Sequence, residues 1–218
     1  MTTAIQTISR RFLAESNYHA SMPLPQGADF FSRTGEWVTA HLTGLARSWT
    51  CYEINETYRQ ELSRNIPEAT IVIGDSFQHV IEPTYYDVIL ADCPQGVFGE
   101  ASRYCEHFEF MDMALSRLND NAILFFNVNI RPYWNRNHAA ERPDNYGMID
   151  HDDWFGRRDA FYSCDASELS LNFVDSFYRS LFLRHGFDTT KFMVELEPSN
   201  LTMHKPFILR CLVSLKRS

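Results

Sequence analysis

From residue 48 onward, short apolar runs alternate with stretches whose apolar positions recur every three to four residues. "SWTCYEI", "ATIVIGD", "YYDVILAD" and "NAILFFNVNI" read as strands, while "NETYRQELSRNI" and "YCEHFEFMDMALSRL" have helical spacing. Runs that are apolar throughout, rather than alternating, belong to strands buried on both faces, and their alternation with helices predicts a parallel sheet covered on both sides. Near the C-terminus, "ASELSLNFVDSFYRSLFLRHGF" predicts a helix closed by Gly186, and "DTTKFMVELE" and "KPFILRCLVSLK" predict two strands joined by "PSNLTMH" as a closing hairpin. The expected class is α/β: one doubly wound, mostly parallel sheet with a C-terminal antiparallel hairpin.

The N-terminal quarter is patterned less clearly. "AIQTISRRFLAESNYHASMPLPQG" supplies a short helix and then Tyr18 and His19, "ADFF" supplies the first strand, and "GEWVTAHLTGLA" places Trp37, Val38, His41, Leu42 and Leu45 at the spacing of a first crossover helix. Residues 131–163 read as a long polar connection. They interleave Arg131, Arg136, Arg142, Arg157 and Arg158 with Tyr133, Trp134, Tyr146, Trp154 and Phe155, a combination suited to stacking on a planar group. We read this segment as a substrate lid inserted in a single domain spanning residues 1–218, with surface cover over the sheet or an oligomer contact as the alternatives, and residues 1–23 as an N-terminal helix and cover.

Composition narrows the class further. With 44% hydrophobic and 14% aromatic residues among 218, the chain can bury one full core. A formal charge of −8 disfavours a surface built to grip a phosphate backbone, since that affinity comes from many Lys and Arg contacts. Cys51, Cys93, Cys105, Cys164 and Cys211 are scattered without metal-ligand spacing, so reduced thiols and no metal site are expected. "HDD" at 151–153 lacks further oxygen ligands at regular spacing, and His138 and His151 in the lid could serve acid-base work, imidazole titrating near neutrality, although a lone loop histidine is more often only solvated. No apolar run approaches the roughly 18 residues a membrane span needs, and a soluble, cytoplasmic protein is expected.

In an open parallel sheet, ligands bind beyond the carboxyl ends of the strands. Glu53, Asp75 and Asp92 each close a predicted strand, which puts three carboxylates in a row along one edge. A carboxylate there can accept two hydrogen bonds from a sugar diol. An acid at a strand end can equally cap the next helix.

The series "DFFSRTGEW", "CYEIN", "IVIGDSF" and "YDVILADCPQG", with the final helix, strand and strand, resembles the class I S-adenosylmethionine-dependent methyltransferase family from about residue 24 to the end. Separations of 22 residues from Phe31 to Glu53, 22 from Glu53 to Asp75 and 17 from Asp75 to Asp92 agree with it. The glycine-rich loop is degenerate: "DFFSRTG" keeps Asp29 and Gly35 but carries Phe31 and Arg33 where the first two glycines of the family pattern stand. The resemblance implies S-adenosylmethionine as cofactor, held by Asp29, Arg33, Gly35, Glu53, Ile54, Asp75, Ser76 and Asp92, with Arg33 placed to pair the cofactor's carboxylate. It further implies that "DCPQG" faces the methyl acceptor through Asp92, Pro94 and Gln95. "DCPQG" departs from the D-P-P-Y type motif of amino-methylating enzymes at Cys93 and Gln95, and the missing aromatic removes a stacking surface for a flipped base. The expectation is thus an enzyme that methylates a nitrogen or oxygen acceptor of a small or nucleobase-like substrate, with homo-oligomers compatible. A nucleic-acid methyltransferase, a non-catalytic binding module on the same fold and a dinucleotide enzyme are the alternatives; the last lacks G-x-G-x-x-G.

Overall fold

The computed structural model describes residues 4–15, 22–92, 97–98, 104–105, 107–131, 151–197 and 208–218, with backbone alone at 97–98, 104–105 and 151–154. Seven strands form the main sheet: β1 (Leu24–Asp29), β2 (Ala46–Glu53), β3 (Thr70–Ile73), β4 (Tyr86–Ala91), β5 (Leu118–Asn129), β6 (Phe187–Leu196) and β7 (Ile208–Arg217). Their order is β3-β2-β1-β4-β5-β7-β6. β1 to β5 pair in parallel, whereas β7 runs antiparallel to both β5 and β6. Chain order reverses between β1 and β4, which makes that crevice the switch point where such sheets take ligands.

The helices are α1 (Ala4–Glu15), α2 (Thr39–Leu42), α3 (Arg59–Asn65), α4 (Ser76–His79), α5 (Phe110–Leu115), α6 (His151–Tyr162) and α7 (Leu171–Arg184). On one face, Ile5, Ile8 and Phe12 of α1 and Leu42 of α2 pack with Trp49, Val88, Leu90, Ile123, Phe125 and Leu212. α3 closes the same side at its far end through Leu62, with Ile66 just after the helix, against Cys51. The opposite face is larger and more aromatic, joining Phe77, Phe110, Phe155, Tyr162, Tyr178 and Phe182 to Phe126 and Val128 of the sheet. The expected sheet and hairpin are present. None of the helices among the described residues is long and apolar enough to cross a membrane.

Four local expectations are corrected. The first strand is Leu24–Asp29 rather than "ADFF". Proline is tolerated in it because pairing with β4 starts only at Gly27, so Pro25 owes no ladder bond on that side. Gly27 is obligatory for another reason, since a Cβ there would lie 2.8 Å from the Trp49 ring. The first crossover helix is cut to Thr39–Leu42 followed by a 3-10 turn, Thr43–Leu45, with the Trp49 indole donating to the Thr43 carbonyl; Trp37 stays outside, 57% exposed. Of "YCEHFEFMDMALSRL" only Phe110–Leu115 is helical, and Tyr104–Cys105 instead pairs antiparallel with Val97–Phe98.

The fourth correction concerns the polar segment 131–163, whose last third is helix α6 and not loop. Phe155, Arg158 and Tyr162 are buried there, although the stretch has almost no amphipathic pattern. A buried guanidinium replaces the missing apolar stripe: Arg158 donates from Nε to the Ala166 carbonyl at 2.8 Å and from Nη2 to the Asn129 carbonyl, and lies 5.2 Å from the Tyr162 ring. Beside it, the Tyr178 hydroxyl bridges His107 Nε2 and the Tyr162 hydroxyl. Burial, with the Arg158 charge, pulls His107 down to about 3, so it is a neutral structural imidazole at ordinary pH. Residues 132–150, which carry Tyr133, Trp134, Arg136, His138, Arg142 and Tyr146 of the expected lid, lie outside the described residues, as do Tyr18 and His19 of the N-terminal cover.

Candidate functional site

The loop after β1 is built by hydrogen bonds more than by glycine. Asp29 is buried at the strand end; its Oδ1 accepts from the Phe31 amide at 3.0 Å and its Oδ2 from the Thr39 hydroxyl, tying the loop to the start of α2. Ser32 donates its hydroxyl to the Asp29 carbonyl and its amide to the Tyr52 carbonyl, and the Gly35 amide closes a turn onto Ser32 at 2.7 Å. Inside that turn Arg33 adopts φ +49 and Gly35 φ +77. Arg33 thus keeps the left-handed backbone that glycine would provide, at a cost on the order of 1 kcal/mol. Phe31 does not: its ring is half-buried, 4.9 Å from Phe110 and 6.5 Å from Phe77. Gly35 serves packing, because a Cβ there would meet Leu62 of α3 and Ile66, which caps it, at 2.8 Å.

Glu53 holds this loop from the neighbouring strand. Its Oε2 accepts from the Arg33 amide at 2.7 Å and its Oε1 from the Asn55 amide at 2.8 Å, so each oxygen retains one lone-pair direction. Ile54 follows it with 66% of its surface exposed, an apolar side chain left uncovered beside a carboxylate. The Arg33 guanidinium lies 5.9 Å from the Trp37 ring and 5.7 Å from Tyr58, which fixes a mobile cation at the loop rim. Thr34 Oγ1 is buried in the same loop without a hydrogen-bond partner among the described residues.

Asp75 and Ser76 have plainer work. Asp75 is the N-cap of α4, its Oδ1 accepting from the Phe77 amide at 2.9 Å, and Ser76 donates to the Phe30 carbonyl. Asp92 lies at the end of β4, where its Oδ1 accepts from Asn127 Nδ2 and, at 3.0 Å, from Arg210 Nη1. Pro94 and Gln95, with Cys93, lie outside the described residues.

One acid here is out of its ordinary range. Burial pushes Asp29 up to about 7, opposed by its bonds from Thr39 and Phe31 and reinforced by the negative charge of Asp92. Asp29 and Asp92 therefore sense one another across the β1–β4 crevice. Among the described residues no group of three or more His, Cys, Asp or Glu is placed to hold a metal ion.

The sequence pointed to Asp29, Arg33, Gly35, Glu53 and Ile54, and the structure brings these together. It missed Thr39, Asn127 and Arg210. Asn127 and Arg210 had a visible signal, each being a polar residue inside a short apolar run, "AILFFNV" and "FILRCLV".

No protein-family model matches the chain, and no curated protein sequence matches it. Solved structures do. A candidate RNA methyltransferase from Pyrococcus horikoshii superposes with a TM-score of 0.52 at 14% identity, covering 96% of this chain and 82% of that one. TYW2 of M. jannaschii in complex with AdoMet gives 0.52 at 12% identity, covering 99% and 77%. The plantazolicin methyltransferase BpumL in complex with SAH gives 0.53 at 14% identity, covering 99% and 82%. At these identities the likeness is one of fold, and the fold is that of the class I methyltransferases.

Proposed function

We propose that the protein is an S-adenosylmethionine-dependent methyltransferase acting on a nitrogen or oxygen acceptor of a small or planar substrate. The observation that carries this reading is the pairing of Glu53 with the exposed Ile54 at the end of β2, next to the strand-order switch. A sugar diol fits the two free acceptor directions of Glu53, and a purine ring fits the uncovered Ile54. The Thr34 hydroxyl, without a partner among the described residues, supports the fit, since leaving such a group unsatisfied costs about 1–3 kcal/mol that a ligand or water would recover.

When bound, the cofactor supplies an electrophilic methyl group on a positively charged sulphur. The chain's own contribution is placement. Glu53 and Ile54 would fix the nucleoside, while Arg33, steadied by Trp37 and Tyr58, would hold the amino-acid carboxylate through a charge-assisted bond in place of the lost glycine amides. Phe31 would narrow the crevice beneath, and Asp92 would meet the acceptor's N–H or O–H. Asp75 and Ser76 enter as supports, one capping α4 and the other tethering the Phe30 carbonyl. The similar structures include methyltransferases named for RNA and for plantazolicin, so the acceptor must be found by assay.

Thermal denaturation with S-adenosylmethionine, S-adenosylhomocysteine and NAD tests the reading. At 100 times its Kd a ligand adds about 2.7 kcal/mol, and a Tm rise of roughly 5–10 °C is expected from the first two and none from NAD. If neither adenosyl ligand stabilises the protein, the non-catalytic binding module takes its place. Transfer of labelled methyl to single-stranded RNA or to a small-molecule pool then identifies the acceptor class.

A further inference from the structure

On the α1 face of the sheet, three adjacent strands change character at the same level. Alternate positions run Val88 and Leu90 on β4, continued by Asp92 just past its end, and Ile123, Phe125, Asn127 on β5, while β7, antiparallel, runs Leu212 to Arg210. The register pairs Ala91 with Phe126 and Asn127 with Arg210, which sets Asp92, Asn127 and Arg210 side by side at the ligand-binding edge. Arg210 Nη1 donates to Asp92 Oδ1 at 3.0 Å and to Asn127 Oδ1 at 2.7 Å, and its Nε donates to Glu197 Oε2 at 2.9 Å. Asn127 Nδ2 completes the ring by donating to Asp92 Oδ1.

The distribution of exposure shows which end of this network is available. The Arg210 side chain is 8% exposed and the Asp92 side chain 22%. Both known donors converge on Oδ1 of Asp92, and Oδ2 takes no donor among the described residues. A structural ion pair of this kind needs no amide: Arg210 and Asp92 already touch, yet Asn127 bonds both and removes their rotational freedom. A carboxylate so fixed, with its charge compensated on one side and one oxygen presented on the other, is suited to aligning a donor rather than to taking a proton away.

We propose that Asn127 and Arg210 are positioning residues for the acceptor, holding Asp92 so that its second oxygen receives the N–H or O–H of the nucleophile beside the donor methyl; this rests on the methyltransferase reading above. On attack a lone pair of the nucleophile forms the new bond to the methyl carbon, the carbon–sulphur bonding pair returns to sulphur, and the surplus proton leaves the nucleophile for solvent.

Sinefungin tests the proposal without knowledge of the substrate, because a carbon bearing an amine stands in it for the methylated sulphur. Calorimetry compares its affinity with that of S-adenosylhomocysteine in the wild type and in Asp92→Asn, Arg210→Lys and Asn127→Ala. The wild type is expected to prefer sinefungin by about tenfold, Asp92→Asn to erase the preference, and Arg210→Lys and Asn127→Ala each to cut it at least threefold while S-adenosylhomocysteine binds within about twofold of wild type. If Arg210→Lys does not fold, Asn127→Ala carries the comparison alone. A preference that survives both variants but falls in Asp92→Asn makes the network a structural support only and overturns the proposal, as does a wild type without preference. Failure of every adenosyl ligand to bind removes the methyltransferase reading as well and is thereby told apart from these outcomes.

Discussion

The two halves of the ligand edge hold their carboxylates in different ways. On the β1–β2–β3 side, Glu53 and Asp75 accept from backbone amides of their own or adjacent loops, and no cation pairs with either among the described residues. On the β4–β5–β7 side, Asp92 is bound to a buried guanidinium that also reaches Glu197. Amide contacts leave lone pairs open and fix only the loop, which suits binding of a diol. A guanidinium and an amide together fix the carboxylate itself, which suits alignment. The contrast teaches that an acid at a strand end acquires its task from what donates to it.

Breaking the second half should cost most. Arg210→Met would strand Asp92 and Glu197 without their shared cation in a largely buried place, and a loss of about 3–5 kcal/mol is expected, read as a fall in Tm of roughly 10 °C. A shift below about 2 °C would mean that the network is solvated and the contrast is false.

Glu53→Ala attacks the first half. Adenosine-ligand affinity should fall about 10- to 100-fold in calorimetry, since a charged hydrogen-bond partner is worth roughly 1.5–3 kcal/mol. Stability should fall less than in Arg210→Met, because the Arg33 and Asn55 amides that lose their acceptor sit in loops beside solvent.

The boundary between the halves is sharpened by Asp29. Its folded value near 7 lies above the ordinary 3.8, so the protonated form is favoured by folding. The stability it contributes is present in full below about pH 4 and is lost as pH rises towards 7, at up to about 1.4 kcal/mol per unit. Asp29→Asn should flatten that slope in denaturant titrations across the window. Because the Asp92 charge pushes Asp29 upward, Asp92→Asn should move the end of the window to lower pH. An unchanged window would mean that Arg210 cancels Asp92 completely.

The smallest effect expected is on ligand choice. Arg33→Ala should weaken S-adenosylhomocysteine about three- to tenfold and leave methylthioadenosine, which lacks the carboxylate, nearly unaltered. Equal losses for both would assign Arg33 to loop geometry alone.

Much of this was legible in the chain. The sheet, the hairpin and the edge carrying Glu53, Asp75 and Asp92 follow from periodicity, because the residue that ends a strand is set by its neighbours within a few positions. Phe31 in a glycine position was readable too, but that Arg33 would retain φ +49 was not, since Glu53, twenty residues on, supplies the acceptor that stabilises the turn. α6 escaped notice because its burial rests on Arg158, whose acceptors come from residues 129 and 166.

What the sequence by itself determined was local: which runs form strands, which face of each is apolar, and where a charge interrupts them. Only the tertiary structure decided the partners. Arg210 and Asp92 stand 118 residues apart and meet because β7 inserts antiparallel beside β5, a placement set by burial of both faces of the whole sheet. Hydrogen bonds and ion pairs act over a few ångströms, so a contact between distant residues exists only once the backbone has closed around it.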